Sequence, residues 1–131
     1  MSDTNLIDAV FSNYDDDYTP FVRSRKKPPK AIYDNLDESR CDLIHMAIGI
    51  AGEAGELLDA IKKHVCYGQP LDMANVVEEL GDIEFYCEGL RQAIGWTRRD
   101  VIDANKAKLT KRYAKEYSDK QAKDRRDKKA K

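Results

Sequence analysis

An all-α fold follows from three features of this 131-residue chain. Apolar residues recur at three- and four-residue spacing over two long stretches, helix punctuation stands at the ends of each, and no stretch alternates apolar with polar residues as a half-buried strand would. No internal repeat or low-complexity segment interrupts this pattern. The length suits one ordinary domain with a single core. An apolar fraction of 41% supports that core, and a charged fraction of 36% supports a well-solvated helical exterior.

Taken in order, residues 1–38 read as an irregular N-terminal segment. After a short helix around 6–11, Asp15-Asp16-Asp17, Pro20 and the basic run 23–30 with Pro28-Pro29 break any periodicity. Asp37 then offers an N-cap, and Leu43, Ala47, Ile50, Ala54, Leu57 or Leu58, Ile61 and Val65 predict a long amphipathic helix over 39–66. Tyr67-Gly68-Gln69-Pro70 stops it, because Gly accepts positive φ and Pro cannot continue the ladder. Met73, Val76, Val77, Leu80, Ile83, Cys87, Leu90 and Ile94 predict a second helix over 72–94, closed by Gly95. So short a turn makes the two helices antiparallel neighbours at the centre of a bundle. Thr97 with Asp100 is a capping-box variant that opens a third helix through Val101, Ile102, Leu109 and Tyr113 toward Tyr117. The helical domain is thus 39–117, and 118–131 is a basic tail.

Charge is divided unevenly between these parts. From residue 106 to 131 twelve Lys and Arg stand against four Asp and Glu, a balance of +8; the preceding residues carry eleven against twenty, a balance of −9. Such a tail serves a nucleic-acid arm, a solvated helix end, or phosphate-binding side chains folded over an acidic site. No apolar run approaches the 18 residues of a membrane span. The first ten residues lack the basic-then-apolar pattern of a secretory signal, so a cytoplasmic protein is expected. Cys41, Cys66 and Cys87 are an odd set without metal-ligand spacing, which reads as reduced, buried thiols.

Chemistry concentrates in two acidic pairs. Glu53 with Glu56 and Glu79 with Asp82 are each one helical turn apart, so each pair shares a face. If the two helices pack with those faces together, four carboxylates converge where only a cation makes them tolerable. An isolated acidic pair at this spacing is usually a solvated face. Here Ile48-Gly49-Ile50-Ala51-Gly52 and Leu57-Leu58 surround the first pair, and Val76-Val77, Leu80-Gly81 and Ile83 surround the second. Acids in that setting are partly desolvated, which is costly without a metal or a basic partner. Gly49, Gly52 and Gly55, each costing roughly 1 kcal/mol against Ala in a helix interior, mark a stripe that a neighbouring backbone or a ligand approaches closely. Oxygen-only donors suit Mg²⁺, which binds through few carboxylates plus substrate phosphates.

Three ordered strings carry a family resemblance. Gly52-Glu53-Ala54-Gly55-Glu56-Leu57, then Glu78-Glu79-Leu80-Gly81-Asp82, then Asn105-Lys106-Ala107-Lys108-Leu109-Thr110-Lys111-Arg112-Tyr113 resemble the MazG-like all-α nucleoside triphosphate pyrophosphohydrolases over residues 43–127. The resemblance implies a helical bundle completed by oligomerisation as a homodimer or homotetramer. It further implies hydrolysis of an NTP or dNTP to monophosphate and pyrophosphate with Mg²⁺, for which Mn²⁺ can substitute. Carried over by motif, Glu53, Glu56, Glu79 and Asp82 are the metal ligands and catalytic acids. Asn105, Lys108 and Arg112 bind phosphate or sugar, Lys62 or Lys63 is a weaker phosphate candidate, and Arg125 and Arg126 clamp the triphosphate from the basic tail.

Trp96, Tyr86 and Tyr67 are candidates for stacking on the base, against the usual burial of aromatics at helical spacing. His45 reads as a structural histidine more readily than as a ligand. Two rivals stand beside this reading. A di-iron bundle wants two Glu-x-x-His units, and Asp42-x-x-His45 is only a partial imitation. A non-catalytic nucleic-acid-binding or regulatory module would use the +8 tail, but that tail lacks interleaved aromatics and follows an acidic body. No Walker loop is present.

Overall fold

The computed structural model describes residues 17–113 and 116–128, with the side chain of Arg126 outside that description. It is all-α, with no strand among the described residues. The chain divides after Leu36 into two units, residues 1–36 and 37–131.

The first unit differs from the irregular segment that the sequence suggests. Its described residues form two short helices, α1 (Tyr18–Arg25) and α2 (Pro29–Tyr33). Pro20 and Pro29 fall in the first turns, where the missing N–H would have had no intrahelical partner and the fixed φ already suits a helix. The helix expected around 6–11 lies outside the described residues.

The second unit is built on a helical hairpin. Helix α3 (Glu38–Tyr67) opens on Asp37, whose Oδ1 accepts the Arg40 N–H at 2.8 Å, and closes on Gly68 in the left-handed region at φ 64°. Helix α4 (Met73–Ile94) opens on Asp72, which accepts the Asn75 N–H, and closes on Gly95 at φ 71°. Close contacts pair Met46 with Gly89, Gly49 with Tyr86, and Glu53 with Glu79. One index falls as the other rises, so the helices run antiparallel.

The face of α3 turned to α4 is shifted from the stripe read in the sequence. Leu43, Met46, Ile50, Glu53 and Leu57 are half-buried and Ala60 is buried, whereas Ala47, Ala54, Leu58, Ile61 and Val65 are exposed. The helix is apolar on two adjoining stripes, and one partner helix covers one of them. Within the chain Ala60 is the sole buried apolar residue among those described.

Helix α5 (Arg98–Tyr113) begins with the expected capping box: Asp100 accepts from the Thr97 N–H at 2.9 Å and from its hydroxyl at 2.6 Å, and the Asp100 N–H donates back to Thr97 Oγ1. Residues 114 and 115, on the expected path toward Tyr117, lie outside the described residues. Beyond them the described part of the basic tail is itself folded. Ser118 caps α6 (Asp119–Asp124), Arg125 reverses the chain at φ 50°, and a 3₁₀ turn follows over Arg126–Lys128. Both short elements pack on α5.

Candidate metal centre

The hairpin brings three of the four expected carboxylates to one point. One oxygen each from Glu53, Glu56 and Glu79 lie within 4.8 Å of one another. Glu53 and Glu56 come from successive turns of α3, and Glu79 enters from α4 across the hairpin seam. Asp82, one turn further along α4, is exposed and stands outside this trio.

Glu79 is the electrostatic centre of the group. Its residue is 5% exposed as a whole, the lowest of any charged residue described. Desolvation pushes its carboxyl above the usual range, and a hydrogen bond with Glu53 and the charges of Glu56, Glu53 and Glu78 push the same way. A carboxyl so placed gives up its proton less readily than a solvated one, and a cation bound there would offset both the burial and the neighbouring negative charge. Three hard oxygen donors, one of them desolvated and none in an ion pair with a described Lys or Arg, fit an oxygen-seeking dication of the Mg²⁺ type.

Beside the trio runs a groove of about 440 Å³ lined by Gly52, Gly55, Glu56, Asp59, Lys63, Asn75 and Glu79. The glycine stripe therefore splits in role. A Cβ on Gly49 would run into the Tyr86 ring, but nothing approaches within 4 Å of where a Cβ on Gly52 or Gly55 would stand. Gly49 is a packing residue; the other two leave the groove open.

Lys63 enters the groove already engaged. Asp59 bonds Lys63 Nζ at 2.7 Å and Lys62 Nζ at 2.9 Å. These lysines pull the Asp59 carboxyl down to about 2, and Asp59 raises Lys63 above the ordinary ammonium range. Asp59 and Asn75 were not singled out from the sequence, although spacing could have found them. Asp59 extends the Glu53–Glu56 row by one more turn, and Asn75 is one turn before Glu79 on the same face of α4.

The basic candidates are placed on α5 and after it. Asn105 and Lys108 are exposed, and no described hydrogen bond or ion pair joins them to the acidic trio. Arg112 is engaged with Asp127: Nε donates to Oδ1 and Nη2 to Oδ2, each at 2.8 Å. Arg125 Nε lies 3.7 Å from Asp127 Oδ1. The Arg126 side chain lies outside the described residues. Among the aromatics, Tyr86 packs over Gly49 and meets His45 edge-on at 6.1 Å, whereas Trp96 and Tyr67 are exposed near helix ends. Cys41 and Cys66 are exposed rather than buried, and Cys87 is half-buried.

An antiparallel helical hairpin with a carboxylate centre across its seam defines an all-α protein with a candidate dication site. Residues 43–116, more than half of the chain, match the family model of the MazG nucleotide pyrophosphohydrolase domain. The chain belongs to the MazG nucleotide pyrophosphohydrolase family. Neither a curated protein nor a solved structure matches it significantly.

Proposed function

We propose that the protein is a Mg²⁺-dependent nucleoside triphosphate pyrophosphohydrolase that cleaves the αβ-anhydride of an NTP or dNTP, giving the monophosphate and pyrophosphate. The observation that carries this reading is the meeting of Glu53, Glu56 and Glu79 across the seam of a family-typical hairpin. These three hold the cation, Mg²⁺ or Mn²⁺, with Asp82 as the fourth ligand after a rotamer change or in the assembled protein. The bound cation supplies charge neutralisation for the triphosphate and its leaving group. Water adds at phosphorus, an acid of the cluster accepts its proton, and the anhydride P–O bond breaks as pyrophosphate departs. Lys63 at the groove, with Asn105, Lys108, Arg112, Arg125 and Arg126, supplies the phosphate-binding charge, since catalysis here is mostly positioning and electrostatic stabilisation.

A second copy of the chain completes the site, as a homodimer or homotetramer. Ile44, Ile48, Ala51, Gly55 and Leu58 form an exposed stripe at alternating four- and three-residue spacing along α3, which Val65 resumes seven residues on, past Lys62. That is the seam a second helix packs into. No described helix is long and apolar enough to cross a membrane.

The test incubates the purified chain with each common NTP and dNTP, with Mg²⁺ or EDTA, scoring monophosphate and pyrophosphate. Turnover is expected with Mg²⁺ only. Glu53→Gln or Glu79→Gln is expected to lower kcat by about 10² or more, the scale for removing a positioned electrostatic group. Full activity in both variants sinks the site. Salt-sensitive DNA or RNA binding without triphosphate turnover would favour the nucleic-acid module instead.

A further inference from the structure

The tail holds a contact for which the proposed chemistry has not yet accounted. Ion pairs such as Lys63–Asp59 and Arg99–Asp103 lie within single helices, but Arg112 and Asp127 join the end of α5 to the 3₁₀ turn. The pair is bidentate, and the Asp127 side chain is 2% exposed against 16% for Arg112. Reaching this geometry needs Arg125 in the left-handed region, a conformation that non-glycine residues rarely adopt. Strain of that kind persists where the surroundings over-determine it and clusters at functional positions.

Two roles fit a carboxylate on a candidate phosphate-binding arginine. As a blocking group, Asp127 would leave when a phosphate arrives; as a support, it would stay and fix the guanidinium. Burial decides between them. Releasing Asp127 would leave a desolvated carboxylate without its strongest partner, whereas keeping it costs Arg112 only one edge of its fork. The Nε and Nη2 donors are spent on Asp127, the Nη1 edge is not part of that pair, and the Tyr113 side chain is the other neighbour of the guanidinium. We propose that Asp127 is a positioning residue: it locks the Nε/Nη2 edge of Arg112 so that the Nη1 edge is presented to a phosphate group of the substrate. The proposal rests on the pyrophosphohydrolase reading and adds to it a residue outside the three family strings. Arg125, whose guanidinium also faces Asp127, is set by the same carboxylate.

The experiment has a kinetic arm and a structural arm. Asp127→Asn, Asp127→Glu, Arg112→Lys and the Asp127→Asn/Arg112→Lys double variant are assayed for triphosphate hydrolysis, and hydrogen exchange is followed over 116–128. Asp127→Asn is expected to raise KM about tenfold, the cost of a charge-assisted bidentate contact, with kcat and the half-saturating Mg²⁺ concentration little changed. Asp127→Glu recovers part of that loss, and the double variant is no worse than Arg112→Lys alone, as a coupled pair requires. A fall in KM overturns the proposal in favour of a blocking contact. An unchanged KM with faster exchange over 116–128 overturns it in favour of a purely structural clasp. Unchanged exchange in Asp127→Asn overturns the claim that the pair holds the segment, a result readable even if no triphosphate is turned over. A wild-type chain without turnover overturns the reading of function and the positioning role with it, while the exchange result still reports the pair.

Discussion

Glu79 sits where folding and the proposed metal binding ask for opposite protonation states. Without a cation, burial and the neighbouring Glu53 and Glu56 raise its carboxyl, so the folded chain binds that proton more tightly than the unfolded chain does. With a cation, the same oxygens must be ionised. A raised pKa in an acid means that the folded state binds the proton more tightly than the unfolded one. Its contribution to stability is therefore full below the ordinary glutamate range and is lost as pH rises through the raised value. Glu79→Gln removes that loss, and its amide can donate to Glu53 as the protonated acid does. In EDTA the variant is expected to melt above wild type, by a margin that widens as pH is raised from the ordinary glutamate range through the raised value. With Mg²⁺ wild type gains melting temperature and the variant does not. Thermal melts across that pH range check this, and a margin that narrows with pH contradicts it. One-turn spacing in an apolar setting made the trio legible in the sequence. The Arg112–Asp127 pair was not legible, because it depends on a left-handed Arg125 that no sequence pattern announces.

At the scale of elements, helix ends were the most readable feature because their signals are local. Asp37, Gly68, Gly95 and the Thr97–Asp100 box act where the sequence places them. The short helices α1 and α2 were missed for a related reason: Pro20 and Pro29 were read as breaks when they stand in first turns. The glycines of α3 were read as one stripe with one purpose, and packing divides them. Gly49→Ala must displace the Tyr86 ring, and overpacking of that kind costs about 1–3 kcal/mol, against about 1 kcal/mol gained in helix propensity. Gly52→Ala meets nothing within 4 Å and keeps the whole gain of up to about 1 kcal/mol, but it places a methyl beside the metal groove. Gly49→Ala is accordingly expected to be neutral to destabilising with activity scaling with folded protein. Gly52→Ala is expected to be stabilising and less active. Urea unfolding alongside hydrolysis assays separates the two, and like effects from both substitutions would contradict the division.

For the molecule as a whole, the excess of uncovered apolar surface is the dominant fact. Ile48, Leu58, Val65, Val77 and Phe85 are each more than 60% exposed, although they lie in the two helices that make the hairpin. Periodicity shows that a residue faces something apolar, but it cannot say whether that surface belongs to the same chain. This is why the sequence marked α3 as amphipathic yet placed Val65 and Ala54 on its inward face. Fully burying such a side chain contributes about 1.5–3 kcal/mol, so a few of them decide whether the hairpin stands alone. Association also completes the metal site in the proposed function, which ties assembly to activity. Ile48→Asp with Leu58→Asp places two charges on the stripe without touching Glu53, Glu56 or Glu79. Light scattering is expected to find wild type at a multiple of the 15.0 kDa chain and the double variant shifted toward one chain or unfolded. Triphosphate hydrolysis should fall with the assembled fraction as concentration is varied. A wild-type protein that is monomeric and fully active would show that one hairpin holds the site unaided.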